Sequence, residues 1–192
     1  EESSGALGRG FRCGFLGMLH LEIISERLRR EFHIPLVITH PSIAYRVTTK
    51  RGAELAAYTI MQFPEYGEVA EVREQWVSGE LIAPPEYLSP AMLLLGTHEA
   101  VVGETENIGN RIRVRFEAPL RELMRGFFDE LKSASSGFAS LSYRLLPEWR
   151  AADVAKLEIL VADEPVAAFG RIVARRRVEE DAEAAVEKLS KI

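Results

Sequence analysis

Residues 111–131 read RIRVRFEAPLRELMRGFFDEL, and a change of period inside them decides the fold. Ile112, Val114, Phe116 and Ala118 alternate with Arg113, Arg115 and Glu117, the two-residue period of a strand with one buried face. Pro119 closes that run. Leu120, Leu123, Met124, Phe127, Phe128 and Leu131 then fall at i, i+3, i+4, i+7, i+8 and i+11, the stripe of a core-facing helix. Upstream, Val101–Glu106 reads as a strand, and Ile108-Gly109-Asn110 turns it back into a hairpin with 112–118. Ser89-Pro90 looks like an N-cap with proline at the first helical position, opening a helix that ends near Gly96. Before it, Val69–Ala83 reads as a long strand stopped by Pro84-Pro85. Downstream, Ser135-Ser136-Gly137 leads into a strand with Ala139, Leu141, Tyr143 and Leu145 on one face. The order over 69–146 is strand, helix, strand, strand, helix, strand. That is an α+β fold of the ferredoxin-like, split βαβ type.

The flanks are less regular. Arg9–Gly17 reads as a glycine-studded strand, and Met18–Phe32 as a helix with Leu21, Ile24, Leu28 and Phe32 on its apolar side. Pro35 stops that helix. Extended runs follow at Leu36–Thr39 and Ile43–Thr48, then a stretch around Ala53–Met61 that suits either a strand or a short helix. Beyond residue 150, Val154–Val161 and Val166–Ala174 read as strands around an Asp163-Glu164-Pro165 turn, followed by a helix over Val178–Ile192.

Composition narrows the function. Hydrophobic residues make up 47% of the chain and charged ones 28%, as in ordinary globular domains. The net charge of −5 argues against a general phosphate-coating surface. Any nucleic-acid contact must come from a few placed side chains. The single cysteine, Cys13, excludes an internal disulfide framework and fits a reducing compartment, so a cytoplasmic location is expected.

No catalytic, cofactor-binding or metal-ligating set is legible. A phosphate loop needs Gly-Lys-Ser/Thr at the start of a helix, whereas Gly17 is followed by Met18-Leu19-His20. Guanine-reading Asn-Lys-x-Asp and the Asp-x-x-Gly switch are missing too. Cys13 and His20 lack the second cysteine of a zinc site, and Phe11, Phe15 and Leu16 surround Cys13 with apolar neighbours that keep a thiol neutral. Arg175-Arg176-Arg177 is followed at once by Glu179, Glu180 and Asp181 and reads as a solvated junction. Arg113 and Arg115 share one strand face, as a solvent-facing sheet or a contact surface would require. The best candidate contact is the loop after the 119–132 helix. Lys132 supplies charge, Ser133, Ser135 and Ser136 supply hydroxyls, and Gly137 permits close approach; an ordinary glycine cap explains the same residues.

Several stretches resemble one family. Gly5-Ala6-Leu7-Gly8-Arg9-Gly10-Phe11-Arg12-Cys13-Gly14-Phe15-Leu16-Gly17-Met18-Leu19-His20-Leu21-Glu22-Ile23 resembles the third-domain signature of the LepA (elongation factor 4) translational GTPases. Pro41–Val47 is similar to that domain's next strand. Pro85–Leu88, Phe127–Ser133 and Gly137–Leu141 resemble the fifth domain, and Arg150–Leu157 with Glu164–Ala168 resembles the start of the family's own C-terminal domain. The resemblance implies a partial third domain at 1–68, the first half of its ferredoxin-like unit lying before Glu1. It implies a fifth domain at 69–150 and the beginning of a C-terminal domain at 151–192. It also implies a non-catalytic, monomeric ribosome-binding piece of a parent protein whose missing G domain holds GTP and Mg²⁺. The partners would be rRNA and ribosomal proteins near the stalk base, tRNA whose position is remodelled, and the parent's own G domain. Peripheral association with the inner face of the membrane is a further family expectation. Two departures remove positive charge: Ser136 stands where the family usually has arginine, and Gly96-Thr97-His98-Glu99 replaces a more basic Arg-Gly turn. The competing reading is a free-standing ferredoxin-like regulatory or small-molecule-binding protein, or a thiol enzyme built on Cys13.

Overall fold

The computed structural model describes residues 2–4, 8–11, 13–14, 18–36, 43–161, 163–166 and 170–189. The chain divides into two compact units, Glu1–Ser42 and Ile43–Ile192. In the first, strands β1 (Glu2–Ser4) and β2 (Gly8–Gly10) form a short antiparallel hairpin, and helix α1 spans Met18–Phe32. Arg27–Glu31 and Arg30–Glu26 pair along the solvent side of α1. Leu21, Ile24 and Leu28 are half-buried as their spacing requires, but Phe32 is exposed: the chain leaves the helix at His33, with φ +53, so the stripe ends a turn early. Most of the expected extended run Leu36–Thr39 lies outside the described residues.

The second unit is organised around β5, Val69–Ala83. After it come α2 (Leu88–Thr97), β6 (Val101–Ile108), β7 (Arg111–Pro119), a helix in two pieces, α3 (Leu120–Glu122) and α4 (Phe128–Ala134), and β8 (Ser140–Ala151). The strands stand in the order β8-β5-β7-β6, every neighbour antiparallel. Numbered within the motif this is 4-1-3-2, the ferredoxin-like sheet expected from the periodicities. Val77, Leu81, Val114, Phe116 and Ala118 face the helices and meet Ala91, Leu95, Leu123, Phe127 and Leu131 in one dry core. The opposite face carries charge in pairs. Arg113 bridges Glu80 and Glu106, and Arg115 reaches Glu104, so these two arginines are matched within the sheet.

Three local expectations fail for stated reasons. Ser89 is not the N-cap: a tight turn at Pro85–Tyr87 runs straight into α2, and Ser89 lies inside its first turn. Met124 is not core. The helix breaks at Arg125–Gly126, where Gly126 adopts φ +95, and the break turns Met124 outward to 42% exposure. Of the predicted face of β8, Ala139 and Leu141 pack on the core, while Tyr143 and Leu145 are about half exposed because β8 is an edge strand.

A second core was not foreseen. Strands β3 (Tyr45–Thr49) and β4 (Glu54–Ala57) join the same sheet, β3 pairing with the first half of β5. Far along the chain, β9 (Val154–Leu157) pairs with β12 (Arg171–Ala174), and α5 (Val178–Leu189) follows. Between them β10 (Leu160–Val161) and β11 (Glu164–Pro165) make a small hairpin, which breaks up the two longer strands read from the sequence. Tyr45, Val47, Ala57, Phe63, Val72 and Val154 close into one buried cluster. The segment 43–68, expected to complete the first unit, therefore packs with 151–174 across the lower half of β5.

One close approach in the main core gives a direct test. A methyl group at Gly79 would sit 2.3 Å from Cζ of Phe116, its register partner on β7. Gly79→Ala is expected to cost about 1–3 kcal/mol by overpacking, read as a lower urea midpoint, and Phe116→Leu should restore part of it. An unchanged midpoint in the single mutant would show that the ring has room to move.

Candidate functional site

Three loops meet at one end of the ferredoxin-like sheet. Ala83 at the end of β5 lies opposite Ile112, and Ile82 lies opposite Ser140, so residues 84–87, the β6–β7 turn and the loop 135–139 share this end. In the last of these the backbone closes α4 with two bonds. The Gly137 N–H donates to the Lys132 carbonyl at 2.8 Å, and the Ser136 N–H donates to the Ser133 carbonyl at 3.3 Å. With Ser136 at φ +50, this is a Schellman cap whose left-handed position is filled by serine, followed by Gly137 at φ +79.

The cap sorts the five residues singled out from the sequence. Lys132, Ser133, Ser136 and Gly137 are exposed. Ser135 is not available: it is buried, its hydroxyl donates to the Leu131 carbonyl at 2.7 Å, and it accepts the Ala139 N–H at 3.2 Å. Its role is to fix the loop, not to meet a partner. Sequence reasoning missed an aromatic neighbour. Phe138 is 56% exposed and lies nearly parallel to Tyr87, with ring centroids 5.8 Å apart. Arg111 donates to the Phe138 carbonyl at 3.3 Å. An apolar residue at an odd place, just after a glycine cap and out of phase with the core face of β8, was the available signal. The loop thus offers an ammonium, two hydroxyls and a flat ring on a rigid cap. Among them no nucleophile–base pair is formed.

The opposite end of the same domain holds a buried ionic chain. Arg121 pairs with Glu74 and with Glu99, and Arg176 reaches Glu99 at 2.6 Å and the Thr97 carbonyl at 3.1 Å. Glu99 occupies a left-handed position, φ +56, at the end of α2, so its two arginine partners hold a strained backbone in place. Beside it, His98 is 1% exposed. Its Nδ1 faces the Glu122 carbonyl at 3.1 Å and carboxylate at 3.3 Å, and its Nε2 faces Glu130 at 3.1 Å. Burial alone would depress the imidazole, but the two carboxylates outweigh it and raise its pKa. For Glu122, burial is likewise overridden by hydrogen bonds from His98 and Arg125, which hold the carboxyl at about 2. Glu74 goes the other way, pushed up chiefly by burial despite Arg121. Perturbed groups of this kind often mark catalytic sites. Here each faces a fixed partner, and the ensemble ties α2, α3 and the 175–177 turn together.

The remaining candidates resolve simply. Cys13 is exposed, as is Phe11, while its other apolar neighbours in sequence, Phe15 and Leu16, lie outside the described residues. Arg175 bonds Asp153 and lies over the Tyr66 ring at 4.8 Å, while Arg177 pairs with Glu180, so the three arginines diverge. Among the described residues no group of three or more His, Cys, Asp or Glu is gathered to hold a metal ion, and no helix is long and apolar enough to cross a membrane.

The β8-β5-β7-β6 sheet and its helices define a ferredoxin-like domain. Residues 71–160 match the family model of the elongation factor G C-terminus. That stretch is thus similar to the C-terminal domain of a translation elongation factor.

Proposed function

We propose that this chain is the ribosome-binding and coupling portion of a LepA-type elongation factor. The observation that carries the reading is the match of residues 71–160 to the elongation factor G C-terminus, flanked by stretches at 5–23 and 150–157 that resemble LepA. In this reading GTP and Mg²⁺ belong to the G domain of the parent protein, and the present chain transmits that domain's state to the ribosome. Its partners are rRNA and ribosomal proteins near the stalk base, and tRNA whose position is altered. It works as a monomer in the cytoplasm, with peripheral attachment to the inner face of the membrane in the parent protein. The contact surface is the exposed part of the cap: Lys132, Ser133, Ser136 and Gly137.

With a net charge of −5, affinity rests on few cationic contacts, so it is weak and falls as salt rises in proportion to their number. The chain should co-sediment with ribosomes at low salt. Lys132→Glu should reduce the bound fraction several-fold at unchanged melting temperature, because Lys132 is exposed. Co-sedimentation that survives the mutation moves the contact elsewhere, and a wild-type chain that never sediments defeats the reading.

A further inference from the structure

Helix α2 is composed as though both of its sides were covered. Leu88–Thr97 contains no charged residue, and a helix apolar all round belongs in an interior. Its inner stripe, Ala91, Leu94 and Leu95, is in the main core, but on the outer side Leu93 is 72% exposed. An open cleft runs between α2 and α4. One wall is Pro90, Leu93, Leu94 and Thr97, at i, i+3, i+4 and i+7 of a single helix face. The other wall contributes Ser133, Ala134 and two carboxylates, Asp129 and Glu130. Glu130 is engaged by His98, whereas Asp129 has no cationic partner among the described residues.

We propose that this cleft docks a basic amphipathic helix of a partner protein. Aliphatic side chains at i, i+3 or i+4, and i+7 would cover Leu93 and Leu94, and a lysine or arginine would meet Asp129. The acidic wall selects the charge of the occupant: a nucleic-acid backbone would bring phosphate against Asp129 and Glu130, whereas a cationic helix gains on both walls. The cleft adjoins the proposed ribosomal surface at Ser133, which lines both, but its apolar wall is on α2 and does not include Lys132, Ser136 or Gly137.

Two synthetic helical peptides of about four turns test it, one with leucines at i, i+3/i+4 and i+7 flanked by lysines, the other with glutamates in place of the lysines. Calorimetric titration should show binding of the lysine peptide only, and NMR shifts should concentrate on α2 and α4. Leu93→Asp separates docking from plain attraction to an acidic chain. It adds negative charge, so nonspecific attraction would strengthen, whereas docking should weaken at least tenfold. Asp129→Lys should weaken binding several-fold. Both positions are exposed, and circular dichroism melting checks that the fold is kept. Absence of binding by the lysine peptide, or binding undiminished in Leu93→Asp, overturns the proposal.

Discussion

Phe127→Ala is expected to destabilise the chain by about 3–5 kcal/mol, the range for removing a fully buried ring from a core that cannot collapse around the gap. Phe127 has no exposed surface and touches three other rings: His98 edge-on at 5.0 Å, Phe116 at 6.3 Å and Phe128 at 6.4 Å. It sits just beyond the Arg125–Gly126 break, where both halves of the helix and β7 converge, so a void there has no neighbour free to fill it. Phe128 lies nearer the surface against Tyr143, and its truncation should cost about half as much. Urea unfolding followed by the fluorescence of Trp76 and Trp149 measures both. A Phe127→Ala cost below about 1 kcal/mol would mean that the ring does not anchor this core.

Glu122→Gln should produce the second largest loss, and its pH dependence identifies the cause. The carboxyl is held at about 2 in the folded chain against an ordinary 4.5. Its contribution is therefore present above about 4.5 and lost as pH falls toward 2, a difference on the order of 3 kcal/mol. His98 has the opposite sign: its raised pKa stabilises fully below about 6.5 and is lost as pH rises through the folded value. The wild-type profile should therefore crest between those limits. Glutamine keeps the shape but not the charge, leaving Arg125 and buried His98 facing a neutral amide. The mutant should lose most of the acid-side slope together with the stability. An acid limb as steep in Glu122→Gln as in the wild type would assign that limb to other carboxylates.

Much of the main domain was legible because its signals are local. The alternation at 112–118, the glycine turn before it and the helical stripe after it each follow from side-chain direction along a single element, and the strand order follows from their sequence. What escaped depended on distant partners. Nothing near Tyr45 announces that Val154 closes its core, and nothing in Arg176 points to Glu99. The break at Gly126 was hidden because the apolar stripe around it continues in phase on both sides. Of the loop residues, Ser135 and Ser136 are neighbours of the same type, yet backbone geometry buries one and exposes the other. Composition has no access to that distinction.

The length of β5 carries a mechanical consequence. Strand β5 runs through both cores, flanked on one side by β3 and then β7 and on the other by β8 alone. Fifteen residues of extended chain make a beam about 50 Å long, so a tilt of about 5° at one end displaces the other by about 4 Å. The ladder skips register at two points of the beam, against β3 between Val69 and Glu71 and, nearer the middle, against β8 between Gln75 and Val77. Arg150 lies over the Trp76 ring at 4.5 Å beside the latter and braces it. Torque applied at the loop end would accordingly reach Tyr45 and Val154 as rotation about Trp76, with the indole as the bearing.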